Sequence, residues 1–206
     1  VSFPTLEFEA ELLTDYPAII AIDEVGRGSL AGPVAVGAFV LTREQLTQVP
    51  EGLRDSKLIR ESKRPEIAQR VMAWGNSAFA FVDAQEIDQH GIISCLKTAG
   101  QSCLEQLSLP EAIILLDGNQ NWLEQSRVVT RVKADRDCAA VSAASIIAKV
   151  SRDAMMIELD QKYPQYDFAS NKGYSSPSHI QALRTHGPSE IHRKTWLSKI
   201  LSDELF

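Results

Sequence analysis

Five short apolar runs, each bounded by turn-forming or charged residues, mark out the predicted strands. Ala18–Ile22 is uniformly apolar and stops at Asp23-Glu24, as a strand buried on both faces would. Pro33–Leu41, rich in Val and bounded by Gly-Pro, predicts a second strand, and Ser77–Val82, alternating small and large side chains, a third. Ala112–Leu116 repeats the design of the first run, closing on Asp117 before the turn pair Gly118-Asn119, and Val128–Val132 is the fifth. Helical spacing fills the intervals. Ile67, Val71 and Trp74 share one face, as do Ile92, Leu96, Ala99 and Cys103. The longest helix is expected over about Ala139–Lys162, with Ala143, Ile146, Ile147, Val150, Ala154 and Ile157 as its buried stripe. Ser176-Pro177 supplies an N-cap and a first-turn proline for a further helix, which Gly187-Pro188 closes. Strands early and helices late predict an α/β fold: a mixed central sheet flanked by helices, with a C-terminal helical segment from about residue 175.

No internal repeat and no Gly-, Pro- or Ser-rich linker divides the 206 residues, so one domain over 1–206 is expected. Charges interrupt every apolar run within about ten residues, too short to span a bilayer, and no basic-then-apolar leader opens the sequence. Cys95, Cys103 and Cys138 are an odd set without a CxxC pair and read as buried thiols of a reducing compartment. A cytoplasmic monomer is the expectation.

The net charge of −6 is unusual for a nucleic-acid binder, but it is unevenly placed. Residues 1–24 hold six carboxylates and no Lys or Arg. Between Arg127 and Arg152 stand Arg127, Arg131, Lys133, Arg136, Lys149 and Arg152 against only Asp135 and Asp137. A phosphate backbone responds to local patches, so this composition permits nucleic acid without indicating it; solvated helix faces account equally well for any single charge.

The chemical signal lies at the strand ends. Asp23 and Glu24 close the first strand, Asp117 closes the fourth and Asp135 follows the fifth. If neighbouring strands end on one edge, these groups converge, repel one another and call for a counter-charge. Divalent cations with hard oxygen ligands supply one. By position alone, turn and cap roles explain these carboxylates at least as well.

The surrounding residues change that balance. Ala21-Ile-Asp-Glu-Val-Gly-Arg-Gly-Ser-Leu-Ala-Gly-Pro-Val34 resembles the signature of the type 2 ribonuclease H family, whose bacterial form is ribonuclease HII. Further blocks recur in order: Asp55-Ser-Lys57, Leu115-Leu-Asp-Gly-Asn119, Lys133-Ala-Asp135 with Ser142–Asp153, Asn171-Lys-Gly-Tyr174, and Gly187–Arg193. The likeness spans about residues 18–196. It implies a ribonuclease H-like fold and a nuclease that cuts the RNA strand of RNA/DNA hybrids. It also implies cleavage on the 5′ side of ribonucleotides embedded in duplex DNA, leaving 3′-hydroxyl and 5′-phosphate ends.

By that resemblance Asp23, Glu24, Asp117 and Asp135 match the catalytic carboxylates that hold two Mg²⁺ or Mn²⁺ ions. Gly26, Arg27 and Gly28 match the tripeptide that approaches the backbone and senses the 2′-hydroxyl; a glycine lets a ligand come close and Arg offers a planar fork to phosphate. Tyr174 matches the aromatic residue at the junction of ribo- and deoxynucleotide. Lys57, Lys149, His192 and Arg193 are candidate phosphate contacts, each equally explained as a surface ion pair, and Asp153 reads as a cation's structural partner. Several residues depart from the family pattern: Ser29 for a frequent proline, Leu58-Ile59 after the Asp-Ser-Lys element, His90-Gly91, Ala134, and Asp137-Cys138-Ala139. The Ala134 and Asp137 changes bear on substrate affinity and metal preference. The short stretch before the first strand favours ribonuclease HII over ribonuclease HIII, and Asp203-Glu-Leu-Phe206 is faintly similar to tails that bind sliding clamps, although a frayed helix end with two apolar residues accounts for it better. Two other classes stay open on sequence: a metal nuclease of the same fold that ignores the 2′-hydroxyl, and a non-catalytic binder of hybrid duplexes.

Overall fold

Period-two burial organises the molecule. The computed structural model describes residues 3–201, apart from the side chain of Lys199; the tail at 203–206, a candidate clamp contact, lies outside the described residues. Strands β1 (Ala18–Val25), β2 (Val34–Thr42), β3 (Ser77–Val82), β4 (Ile113–Asp117) and β5 (Val128–Arg131) form one sheet in the order β3-β2-β1-β4-β5. β3, β2 and β1 are antiparallel neighbours, whereas β1, β4 and β5 run parallel. Helices α1 (Glu7–Asp15), α2 (Arg64–Trp74), α3 (Ala84–His90), α4 (Ile92–Leu107), α5 (Ala134–Asp137) and α6 (Ala139–Lys162) pack around it. α7 (Phe168–Asn171), α8 (Pro177–His186) and α9 (Lys194–Leu201) make the C-terminal segment.

Alternate residues of each strand feed separate cores. Ile19, Ala21, Phe39, Leu41, Ile113 and Leu115 face α2 and α6, while Ile20, Ile22, Val36, Val40, Ile114 and Leu116 face α4. Burial of each large apolar side chain contributes roughly 1.5–3 kcal/mol, offset by the entropy of ordering it. The same alternation continues to the strand ends and directs Asp23 and Asp117 toward α6.

Three expectations need correction. The first strand does not stop at Ile22: Asp23 and Glu24 lie within β1 and pair with Gly37 and Val36, because β2 extends far enough to continue the ladder. The fifth strand ends at Arg131, one residue early, where Lys133 turns into the left-handed region at φ 62°. The stripe on α6 holds only through Val150; beyond it Arg152, Asp153 and Met156 are buried, while Ala154 and Ile157 are exposed. There the helix has outrun the sheet, and Met156 packs with Leu30, Ala31, Tyr166 and Phe168 instead.

α6 sits unusually close to the sheet. A Cβ at Gly37 would lie 2.3 Å from the carbonyl oxygen of Ala144 and 2.8 Å from the amide of Ala148, so only glycine admits the helix there. Gly37 is the β2 partner of Asp23, so this close approach brings Ser145 of α6 up to the Asp23 carboxyl. The start of α6 has no side-chain cap of its own. Glu9 of α1 fills that role: its Oε1 accepts from the Ala140 amide at 2.9 Å. Glu9 is fully buried, and burial pushes its carboxyl up to about 7 despite that bond.

Because the folded value lies above the unfolded one, the native state binds the extra proton between pH 4.5 and about 7. Stability from Glu9 is therefore greatest below that window and falls by about 3 kcal/mol as pH rises through it. Glu9→Gln is expected to unfold at higher urea concentration than the parent at pH 8 and at about the same concentration at pH 4. An offset identical at both pH values would show that charge burial is not the cause.

Candidate active site

Parallel pairing sets the centre of the site. Ile22 of β1 lies beside Leu116 of β4, so one step further Asp23 stands beside Asp117, both on the α6 face. Asp117 Oδ1 accepts from the Asp135 amide at 3.3 Å, which anchors the single turn of α5 at the end of β4. Ser142 Oγ donates to the Asp135 carbonyl at 2.7 Å and ties that turn to α6. Glu24, on the alternate side of β1, completes the acidic edge. The four carboxylates singled out from sequence therefore gather at the ends of β1 and β4 and in the turn beyond β5.

Their electrostatics show strain of charge. Burial, with the charges of Glu24 and Asp117 adding to it, holds the Asp23 carboxyl well above the usual range. Glu24 is raised by burial, which its bond to Arg27 only partly offsets. Asp117 is raised by burial and then by the charge of Asp135. Two cations bracket the group: Arg27 Nη1 lies 3.2 Å from Glu24 Oε1, and Lys57 Nζ 3.2 Å from Asp135 Oδ2. Burial opposes the Lys57 charge, but Asp135, Asp55 and Asp23 outweigh it and hold the ammonium above its ordinary value.

The donor set fits a hard divalent cation: oxygen ligands only, buried and mutually repelling. Among the described residues no three His, Cys, Asp or Glu side chains are arranged to hold a metal ion by themselves. A hard divalent cation keeps several waters and takes further oxygens from substrate, so side chains need supply only part of its shell.

A cleft of about 400 Å³ opens on this edge, lined by Asp23, Glu24, Lys57, Arg64, Ser145, Lys149 and Tyr174 among others. Tyr174, 37% exposed, stands at its mouth, where its hydroxyl accepts from the Gly26 amide at 3.1 Å. Gly26 is required twice over. It adopts φ +80°, and a Cβ there would fall 2.1 Å from Arg152 Nε. Gly28 has open space where a Cβ would sit, so the fold does not demand glycine there and an approaching backbone can use the gap. Lys149 Nζ pairs with Asp153 at 2.7 Å, and Arg64 reaches the same carboxylate at 3.4 Å. Asp153 thus serves these two cations.

Two candidate phosphate contacts are not at the surface. His192 and Arg193 are buried, and their polar atoms are taken up inside the protein. Within the Gly187–Arg193 segment only the last two residues are buried, and the sequence gives no sign of which way its side chains turn. Sequence reasoning also missed Ser29, Arg152, Ser56 and Ser145. Ser29 Oγ donates to the Gly26 carbonyl at 2.9 Å and accepts from Arg152 Nη2 at 2.8 Å, which gives the departure from proline a structural purpose. Ser56 Oγ and Ser145 Oγ lie 3.0 Å apart beneath the carboxylates. The available signal for Arg152 was an arginine where the helix turns its buried face.

Sheet order and acidic edge together define a nuclease of the ribonuclease H-like class, a hydrolase of phosphodiesters. The family model described as Ribonuclease HII matches residues 20–199, and the chain belongs to that family. A ribonuclease HII from Streptomyces avermitilis is 40% identical over 194 residues, covering 93% of this chain and 82% of the relative. Among solved structures, ribonuclease H2 from Pyrococcus horikoshii superposes with a TM-score of 0.74 at 27% identity, over 89% of this chain and 97% of that one. The ribonuclease HII in a PCNA complex from Archaeoglobus fulgidus gives 0.71 at 26% identity, over 86% and 94%.

Raised carboxyl values mean that the ionised site opposes folding near neutral pH when no cation neutralises it. Asp23→Asn is expected to raise the thermal midpoint of protein treated with a chelator by a few degrees, at about 2–4 °C per kcal/mol for a chain of this size. Mg²⁺ should raise the midpoint of the parent but not that of the variant. A lower midpoint for Asp23→Asn without metal would contradict the repulsion described here.

Proposed function

We propose that the chain is an endonuclease that hydrolyses the RNA strand of RNA/DNA hybrids and cuts duplex DNA on the 5′ side of an embedded ribonucleotide. The observation that carries this reading is the meeting of Tyr174 with Gly26 at the mouth of the carboxylate cleft. Having accepted a hydrogen bond from the Gly26 amide, the Tyr174 hydroxyl keeps its own proton to donate. A 2′-hydroxyl can take that proton, and the ring offers a face to sugar or base. A deoxyribose has nothing to offer in return, so the pair discriminates between the two sugars.

The other residues have distinct tasks. Two divalent cations, Mg²⁺ or Mn²⁺, held by Asp23, Glu24, Asp117 and Asp135 would supply counter-charge, Lewis acidity and a more acidic bound water. In the hydrolysis a water oxygen bonds to phosphorus and the bond from phosphorus to the 3′ oxygen breaks. The products carry 3′-hydroxyl and 5′-phosphate ends. Arg27, 43% exposed, and Lys57, 71% exposed, are each tethered to a carboxylate and placed to exchange that partner for phosphate oxygens. Lys149 and Arg64 add positive charge along the cleft wall. We extend the proposal to a sliding clamp as partner of the Leu205-Phe206 tail, supported by the likeness to the Archaeoglobus fulgidus protein seen in a PCNA complex. Among the described residues no helix is long and apolar enough to cross a membrane.

The test uses a DNA duplex with one ribonucleotide beside the same duplex without it, each with Mg²⁺. Cutting is expected only in the first, on the 5′ side, and Asp23→Asn and Asp117→Asn should lose on the order of a hundredfold or more in rate while staying folded. Equal cutting of both duplexes would leave a general nuclease. Tight hybrid binding without cutting would leave a binding module.

A further inference from the structure

Both halves of the sugar-reading mouth are held from beneath by two consecutive buried residues. Residues 191–193 run antiparallel to residues 30–32: Gly32 donates to the Ile191 carbonyl and Arg193 to the Leu30 carbonyl, each at 2.8 Å, and Ala31 bridges His192. In so extended a segment successive side chains point to opposite sides. His192 turns toward Tyr166 and Phe168, and Arg193 toward the loop at Gly26.

The histidine arm is a chain of hydrogen bonds with one consistent proton assignment. The Ser189 amide donates to His192 Nδ1 at 3.0 Å, so that nitrogen carries no proton. At the other end the Tyr174 carbonyl can only accept, so His179 Nδ1, 2.8 Å away, carries one. Between them His192 Nε2 must donate to His179 Nε2 across 3.0 Å. Both rings are neutral and locked. Burial lowers the basicity of His179, and burial together with His179 brings His192 down to about 4. Tyr166 packs edge-on against both rings, and its hydroxyl donates to the Gly187 carbonyl.

The arginine arm is direct. Arg193 Nη2 donates to the Gly26 carbonyl at 2.7 Å, and Nη1 to that of Arg27 at 2.9 Å. Two longer bonds reach the Gly32 carbonyl, from Nη2 at 3.2 Å and from Nε at 3.3 Å. A fully buried guanidinium on carbonyl partners is an expensive way to hold a loop, and replacing it with an apolar side chain would free those carbonyls. What it secures is the pair of peptides from Gly26 to Gly28, which follow directly on the amide bonded to the Tyr174 hydroxyl.

We propose that His192 and Arg193 are positioning residues for ribonucleotide selection, His192 setting Tyr174 through His179 and Arg193 setting the Gly26-Arg27 backbone. Neither touches the nucleic acid. The proposal rests on the ribose-reading role given above to Tyr174 and Gly26.

A double-mutant cycle on the duplex with one ribonucleotide tests it, with kcat and KM measured separately. Tyr174→Ala and His192→Phe are each expected to lower kcat/KM about tenfold. In the Tyr174→Ala background the added His192→Phe should change it less than twofold, because the group it sets is gone. Arg193→Lys, which keeps the charge and loses the fork, should retain its own loss in that background. Should His192→Phe fail to fold, His179→Phe removes the same final bond to Tyr174. An equal loss from His192→Phe with and without Tyr174 would overturn the proposal, leaving a purely structural residue. So would no loss from folded His192→Phe while Tyr174→Ala is impaired. Full activity of Tyr174→Ala would instead sink the ribose-reading role itself, and this proposal with it.

Discussion

Like charges forced together at the end of two parallel strands are the constraint on which this molecule turns. The β1–β4 register sets Asp23 beside Asp117, and period-two alternation sends both toward α6. Burial then denies each carboxylate the water that would screen it. Neighbouring features either create this proximity or relieve it. Gly37 lets α6 close over Asp23 so that Ser145 can reach it, and the Asp135 amide binds Asp117. Arg27 and Lys57 hold the outer two carboxylates. An apolar core on each face of the sheet makes such a centre tolerable, since a few kcal/mol of repulsion is set against burial spread over two clusters.

Around this centre lies a layer built by different chemistry. Arg152 and Arg193 are buried and spend their guanidinium groups largely on backbone carbonyls: Arg152 on Ala31, Pro33 and Lys172, Arg193 on Gly26, Arg27 and Gly32. A loop rich in glycine has little side-chain packing to define it, and a planar fork with several donors supplies the missing definition. The same region explains the turn of the α6 stripe. Once past the sheet, the helix gives Met156 to the smaller apolar cluster and presents Arg152 and Asp153 to polar partners.

Charge placement resolves the apparent conflict between an acidic chain and a polyanionic substrate. Several acidic residues of α1, Glu7 and Glu11 among them, are exposed on that helix, whereas Arg27, Lys57, Arg64 and Lys149 surround the cleft. A field that acts over about 8–10 Å is decided by the nearest groups rather than by the total.

The amino-acid sequence by itself determined the five strands, to within a few residues at their ends, and the four carboxylates at the sheet edge. Both are written in local periodicity, since the apolar runs end at or close to acidic residues. It also carried the family, because the blocks at Ala21–Val34, Asp55–Lys57 and Asn171–Tyr174 recur in order. Tertiary structure alone decided what lay beneath. Whether His192 and Arg193 face solvent or the interior depends on residues 30–32, about 160 positions away in sequence, pairing with them. No local pattern encodes such a pairing. A cation in a sequence looks the same whether it will bind phosphate or hold a carbonyl, and only the packed chain determines which partner is within reach.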